Sequence, residues 1–177
     1  MENIMRNRTV LGFCGILSLT ALALVAGCSL TKPKTSDEFA AYAAQHCLAG
    51  IEMGRLGVQR GTDPSVKAVG TRWTTDYTEA NMQLRAAADH LHISLPSAMN
   101  SEQLAMRDKL SALSGAEFDK AYMSYLIKDQ ESTIQEFQTH SEGGDKPVIK
   151  MFAARFLGAL TADLQMARDA AAKVGAK

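Results

Sequence analysis

Four stretches of this 177-residue sequence set groups with chemistry among apolar residues at helical spacing. Glu52 follows Ile51 in CLAGIEMGR, and Asp76 and Tyr77 follow Trp73 in RWTTDYTEAN. Asp129 and Gln130 lie between Leu126 and Ile134, and Asp163 comes three residues after Leu160. Residues three or four apart share a helix face, so each group lies on or beside an inward-facing stripe. Carboxylates gathered at the middle of a helix bundle bind hard cations, and with histidines added they hold iron, manganese or zinc. Glu52, Asp76, Asp129 and Asp163 are the candidate metal ligands. The other reading is a polar network. Tyr77 carries an apolar ring and a hydroxyl that wants one partner, Gln130 or Asp163 is that partner, and the carboxylates sit at wet stripe edges. Such a network fixes helix register without catalysing anything.

The histidines weigh against a metal. A di-iron bundle takes a Glu-x-x-His pair from each of two helices, and this sequence contains none. His90 and His92 are two apart and point to different faces, while His140 falls at a helix end beside glycines. Only His46 approaches the middle of a helix, nearly two turns before Glu52. Four carboxylates buried together without a cation would be costly. No cofactor is therefore expected, with iron, manganese or zinc on the four carboxylates as the alternative. No catalytic residue is assigned. There is no Gly-x-Ser-x-Gly elbow, and GRLGVQRG lacks the strand–turn–helix setting of a phosphate loop.

These groups need long helices to position them. Residues 36 to about 59 carry the stripe Phe39, Ala43, Cys47, Ile51 and Val58, with Ser36 as N-cap. Asp63 caps the next helix and Pro64 takes its first position; its stripe is Val66, Val69, Trp73, Tyr77, Ala80, Leu84, Ala87 and Leu91. A shorter piece spans 101–113 with Leu104, Leu110 and Leu113. Ser114 and Glu117 match a capping box before Phe118, Tyr122, Leu126, Ile127, Ile134 and Phe137. Asp145 caps a last helix whose stripe is Ile149, Phe152, Phe156, Leu160, Leu164 and Ala167. The fold class is all-α: a four-helix bundle, with a short extra helix in the long connection between the second and third long helices.

The first residues read differently. Arg6 and Arg8 precede an uncharged run over residues 9–27, the pattern of a signal peptide. Its end, LVAGC, resembles the bacterial lipoprotein signal, which implies lipid (a diacylglycerol and an amide-linked chain such as palmitate) on Cys28. Residues 1–27 are then the signal peptide, 28–35 a lipidated tether and 36–177 the bundle domain. Ser29 in place of an aspartate implies the outer membrane, with the domain facing the periplasm. The membrane is thus a partner through Cys28. Nucleic acid is not, since 19 basic residues balance 19 acidic ones and no basic block remains. Cys47 has no partner for a disulfide and reads as a buried small hydrophobe. No residue names a protein partner, and the domain is expected to be monomeric or weakly self-associating.

VKAVGTRWTTDYTEANMQL, LSGAEFDKAYMSYLIKDQESTIQEF and FAARFLGALTADLQMA resemble a family of bacterial exported proteins catalogued as domain of unknown function 4142, related to ferritin-like bundles. The resemblance covers nearly all of residues 36–172 and implies a ferritin-like fold and an envelope location, without an established activity. It also implies histidines where this chain has Tyr77, Gln130 and Asp163, beside carboxylates that remain as Glu52, Asp76 and Asp129. If relatives hold a transition metal there, this chain is expected to hold it poorly. The remaining expectation is a structural, adaptor or stress-related role in the envelope. A carboxylate-rich metal-binding or oxidoreductase domain is the alternative.

Overall fold

The computed structural model describes residues 34–176. The expected signal peptide and Cys28 lie outside the described residues. Five helices are present among them: α1 (Ser36–Arg60), α2 (Pro64–His90), α3 (Ser101–Ser111), α4 (Gly115–Gly143) and α5 (Pro147–Val174). Four are long, and α3 sits in the connection between α2 and α4. None is long and apolar enough to cross a membrane.

The ends of the helices follow local chemistry, with three departures from expectation. Asp63 accepts from the Ser65 amide with Pro64 behind it, as its sequence suggests. Thr35, not Ser36, is the N-cap of α1, and it forms a full capping box with Glu38. Ser36 is drawn inward instead, its amide donating to Asp145 Oδ1 at 2.8 Å. Asp145 is thereby occupied by the first amide of α1 and does not cap α5; Lys146 holds the N-cap position of α5 without a side-chain bond. Ser114 is the N-cap of α4 but likewise makes no capping bond.

Contacts along the helices give their directions. Early α1 meets late α4, where Phe39 packs edge-on to Phe137 at 4.9 Å. Late α1 meets early α4, where the Tyr122 hydroxyl donates to the Met53 carbonyl at 3.0 Å. These two helices are therefore antiparallel. The pairs α1–α2 and α2–α5 are antiparallel as well, through Gly54 beside Gly70 and Arg72 beside Asp163. The chain runs up, down, down and up, and the stretch containing α3 returns along the bundle between the two down helices. This is the ferritin-like arrangement. Buried Asp119 of α4 accepts from the Thr62 and Asp63 amides and so pins the α1–α2 turn.

Spacing between neighbours is uneven. At Gly54 and Gly70 the α1 and α2 backbones touch so closely that a Cβ on either would strike the other helix. Gly50 leaves room for the Tyr77 ring in the same way. The α1–α4 seam is bridged by side chains, and α3 packs against both of its helices. The core holds the expected stripes of α2 and α5 from Val66 to Leu84 and from Ile149 to Ala167. Val58 and Leu104 are exposed, contrary to expectation, because the buried face at the end of α1 passes through Leu56 and Gly57, and α3 turns Leu110 inward. Cys47 is a free, fully buried thiol, and burial pushes its pKa up to about 12.

Candidate functional site

The centre of the bundle is a closed hydrogen-bond chain. Tyr77 of α2 donates its hydroxyl proton to Gln130 Oε1 of α4 at 2.7 Å. Gln130 Nε2 donates to the Leu160 carbonyl of α5 at 2.9 Å. Both side chains are buried. The Tyr77 ring leans on Trp73 at 5.2 Å and meets Phe156 edge-on at 5.6 Å. Burial first, then the Asp129 charge, pushes its phenol well above the ordinary value. The hydroxyl stays protonated and acts as a donor only where a partner waits.

The carboxylates expected around that centre face elsewhere. Glu52 is at the surface, paired with Arg55 at 2.6 Å. Asp76 and Asp163 meet across the α2–α5 seam. Arg72 Nε lies 2.8 Å from Asp76 Oδ2 and 3.3 Å from Asp163 Oδ1. The first contact is an ion pair without hydrogen-bond alignment, and the second is a hydrogen bond. Asp163 is thus the partner of Arg72, not of Tyr77 or Gln130. Its side chain is 1% exposed and its Oδ2 has no hydrogen-bond partner. Burial, and then the nearby Asp76 charge, raises its pKa to about 6, with Arg72 pulling the other way.

Asp129 lies on the third front, the α1–α4 seam. Its Oδ2 is 3.8 Å from His46 Nδ1, and the Tyr125 hydroxyl donates to its Oδ1 across a long 3.4 Å. Thr133 Oγ1 donates to the Asp129 carbonyl at 2.9 Å and lies 3.2 Å from His46 Nδ1. Tyr42 tilts over the same ring at 4.2 Å. Burial lowers the His46 pKa against the pull of Asp129, and burial raises that of Asp129 against the pull of His46. A cleft of about 320 Å³ opens beside them, lined by Tyr42, His46, Glu102, Met106, Tyr125 and Asp129 among others.

Glu52, Asp76, Asp129 and Asp163 therefore do not assemble into one site. Among the described residues no group of three or more His, Cys, Asp and Glu side chains is close enough to hold a metal ion. The physical reason is that the carboxylates turn to three separate places: Glu52 to Arg55, Asp76 and Asp163 to Arg72, and Asp129 to the His46 pocket. Sequence reasoning brought Tyr77 and Gln130 together but missed Arg72, Tyr42, Tyr125 and Thr133. A signal for them existed, since Arg72–Asp76, Tyr42–His46, Tyr125–Asp129 and Asp129–Thr133 are all four residues apart.

Fold and interior together define an all-helical, ferritin-like bundle with a sealed polar centre and two polar seams. Domain of unknown function 4142 matches residues 24–170, and the chain belongs to that family. No curated protein and no solved structure matches it.

Proposed function

We propose that this chain is an envelope lipoprotein, anchored to the outer membrane through lipid on Cys28, whose bundle has a structural or adaptor role without catalysis. The observation that carries the non-catalytic part is the closed chain from Tyr77 through Gln130 to the Leu160 carbonyl. It occupies the buried centre of the bundle and pairs the Tyr77 hydroxyl, Gln130 Oε1 and Gln130 Nε2 internally. The LVAGC sequence ending in Cys28 supports the anchor. On this reading the protein carries no resident metal and is monomeric or weakly self-associating.

Two measurements test it. Elemental analysis of protein purified without chelator is expected to find no stoichiometric iron, manganese or zinc. Stoichiometric metal that disappears in the Asp76→Asn, Asp163→Asn double variant would sink the non-catalytic reading. Radiolabelled palmitate is expected to enter the wild type and not the Cys28→Ala variant. A wild type that takes up no label and fractionates as soluble removes the anchor.

A further inference from the structure

The cleft between α1, α3 and α4 has two acids and two tyrosines in its wall and no lysine or arginine. Its volume of about 320 Å³ falls at the small end of small-molecule sites. Asp129 projects there with only 27% of its side chain exposed. Its nearest base is His46, whose Nδ1 lies 3.8 Å away and 3.2 Å from Thr133 Oγ1, and which burial holds toward neutrality. A largely desolvated carboxylate with no full counter-charge is costly. A ligand cation would supply the missing charge, and ammonium groups are attracted to tyrosine faces. Tyr42 already receives one ammonium in this way, with Lys34 Nζ at 4.9 Å from its ring centre.

We propose that this cleft binds a small organic amine, with its ammonium group against Asp129 between Tyr125 and Glu102. A metal ion suits the place less well, because the acids and His46 do not converge to coordination distance. An aminophospholipid headgroup would bring a phosphate, and no lysine or arginine lines the cleft to receive it. A free alkylamine is the matching ligand class.

Calorimetric titration of the full-length protein in detergent tests this with three probes. Putrescine is expected to bind saturably at one site. Butane-1,4-diol, matched in length but uncharged, is expected not to bind. Glycerophosphoethanolamine, the headgroup probe, is expected to bind more weakly than putrescine. Asp129→Asn should weaken putrescine roughly tenfold or more, the loss of one close charge pair. Exposed Glu102→Gln should weaken it less and carries the test if Asp129→Asn does not fold. Absence of saturable putrescine binding overturns the proposal. So does equal binding of the diol, or undiminished binding by folded Asp129→Asn and by Glu102→Gln. A headgroup that binds as tightly as putrescine overturns the free-amine assignment. Cys28→Ala should leave putrescine binding unchanged, so failure of the anchor and failure of the cleft read separately.

Discussion

Changing Tyr77 to phenylalanine keeps the ring between Trp73 and Phe156 and deletes one donor. Gln130 Oε1 then sits buried without its proton, at a cost of about 1–3 kcal/mol. Alanine also removes the ring and leaves a cavity, and such truncations cost roughly 3–5 kcal/mol. Urea unfolding should rank wild type, Tyr77→Phe and Tyr77→Ala in that order; an alanine variant as stable as wild type would contradict the burial of this ring. Asp163 makes a prediction with a pH sign. Its folded pKa of about 6 lies above the ordinary 3.8. The folded state therefore holds the proton more tightly, and the stability this contributes is full below 3.8 and lost as pH rises through about 6. The stability of wild type relative to Asp163→Asn should grow as pH falls from neutrality through that window. A gap independent of pH would mean that Asp163 is equally protonated in the folded and unfolded chains. The Tyr77–Gln130 bond was legible in the sequence because both residues sit squarely on apolar stripes. The partner of Asp163 was not, because Arg72 reaches it from the half-exposed flank of α2, and periodicity says nothing about how far a long side chain bends.

Helix existence and extent were legible at the element scale, since three- and four-residue steps persist for about five turns in α5 and about seven in α2. Caps were less so. A cap motif states which bonds are possible, and tertiary neighbours decide which are made. Ser36 and Asp145 both looked like N-caps, and each is instead the other's partner across the end of the bundle. Thr35 and Ser114 give a direct comparison. Thr35 accepts from the Glu38 amide and completes a box, whereas Ser114 makes no side-chain capping bond. Thr35→Ala should cost about 1 kcal/mol, and Ser114→Ala should change stability by well under that. Thermal unfolding of the two variants side by side checks it, and equal losses would place a capping bond at Ser114. The α1–α2 contact is a second feature decided by packing. Gly54 and Gly70 lack side chains, and this lets the two backbones touch.

At the scale of the whole molecule, connection lengths showed that α1–α2 and α4–α5 are hairpins and that the chain crosses between them. Which seam would be tight and which bridged by side chains was hidden, because it depends on how the stripes rotate against each other. One consequence appears where the start of α1, the end of α4 and the start of α5 meet. His140 is 4% exposed, its ring stacked on Phe39 at 4.1 Å. Ser36 Oγ accepts from the Lys146 amide and lies 3.0 Å from His140 Nε2. Burial lowers the His140 pKa from the ordinary 6.5, with Asp145 opposing and Lys150 adding to the effect. The unfolded chain therefore takes up the proton first. The contribution of His140 to stability is complete above about 6.5 and is lost as pH falls from there toward the folded value. His46 shifts in the same direction and Asp163 in the opposite one, so the pH profile of the wild type alone mixes the three. The difference between wild type and His140→Gln isolates one of them, since glutamine keeps an acceptor for Ser36 but does not titrate. That variant should be less stable than wild type at alkaline pH, and the gap in urea midpoints should close as pH drops below about 6.5. A gap that stays constant across the series would show that His140 is equally protonated in the folded and unfolded chains, and that the three helix ends are not held by a neutral imidazole.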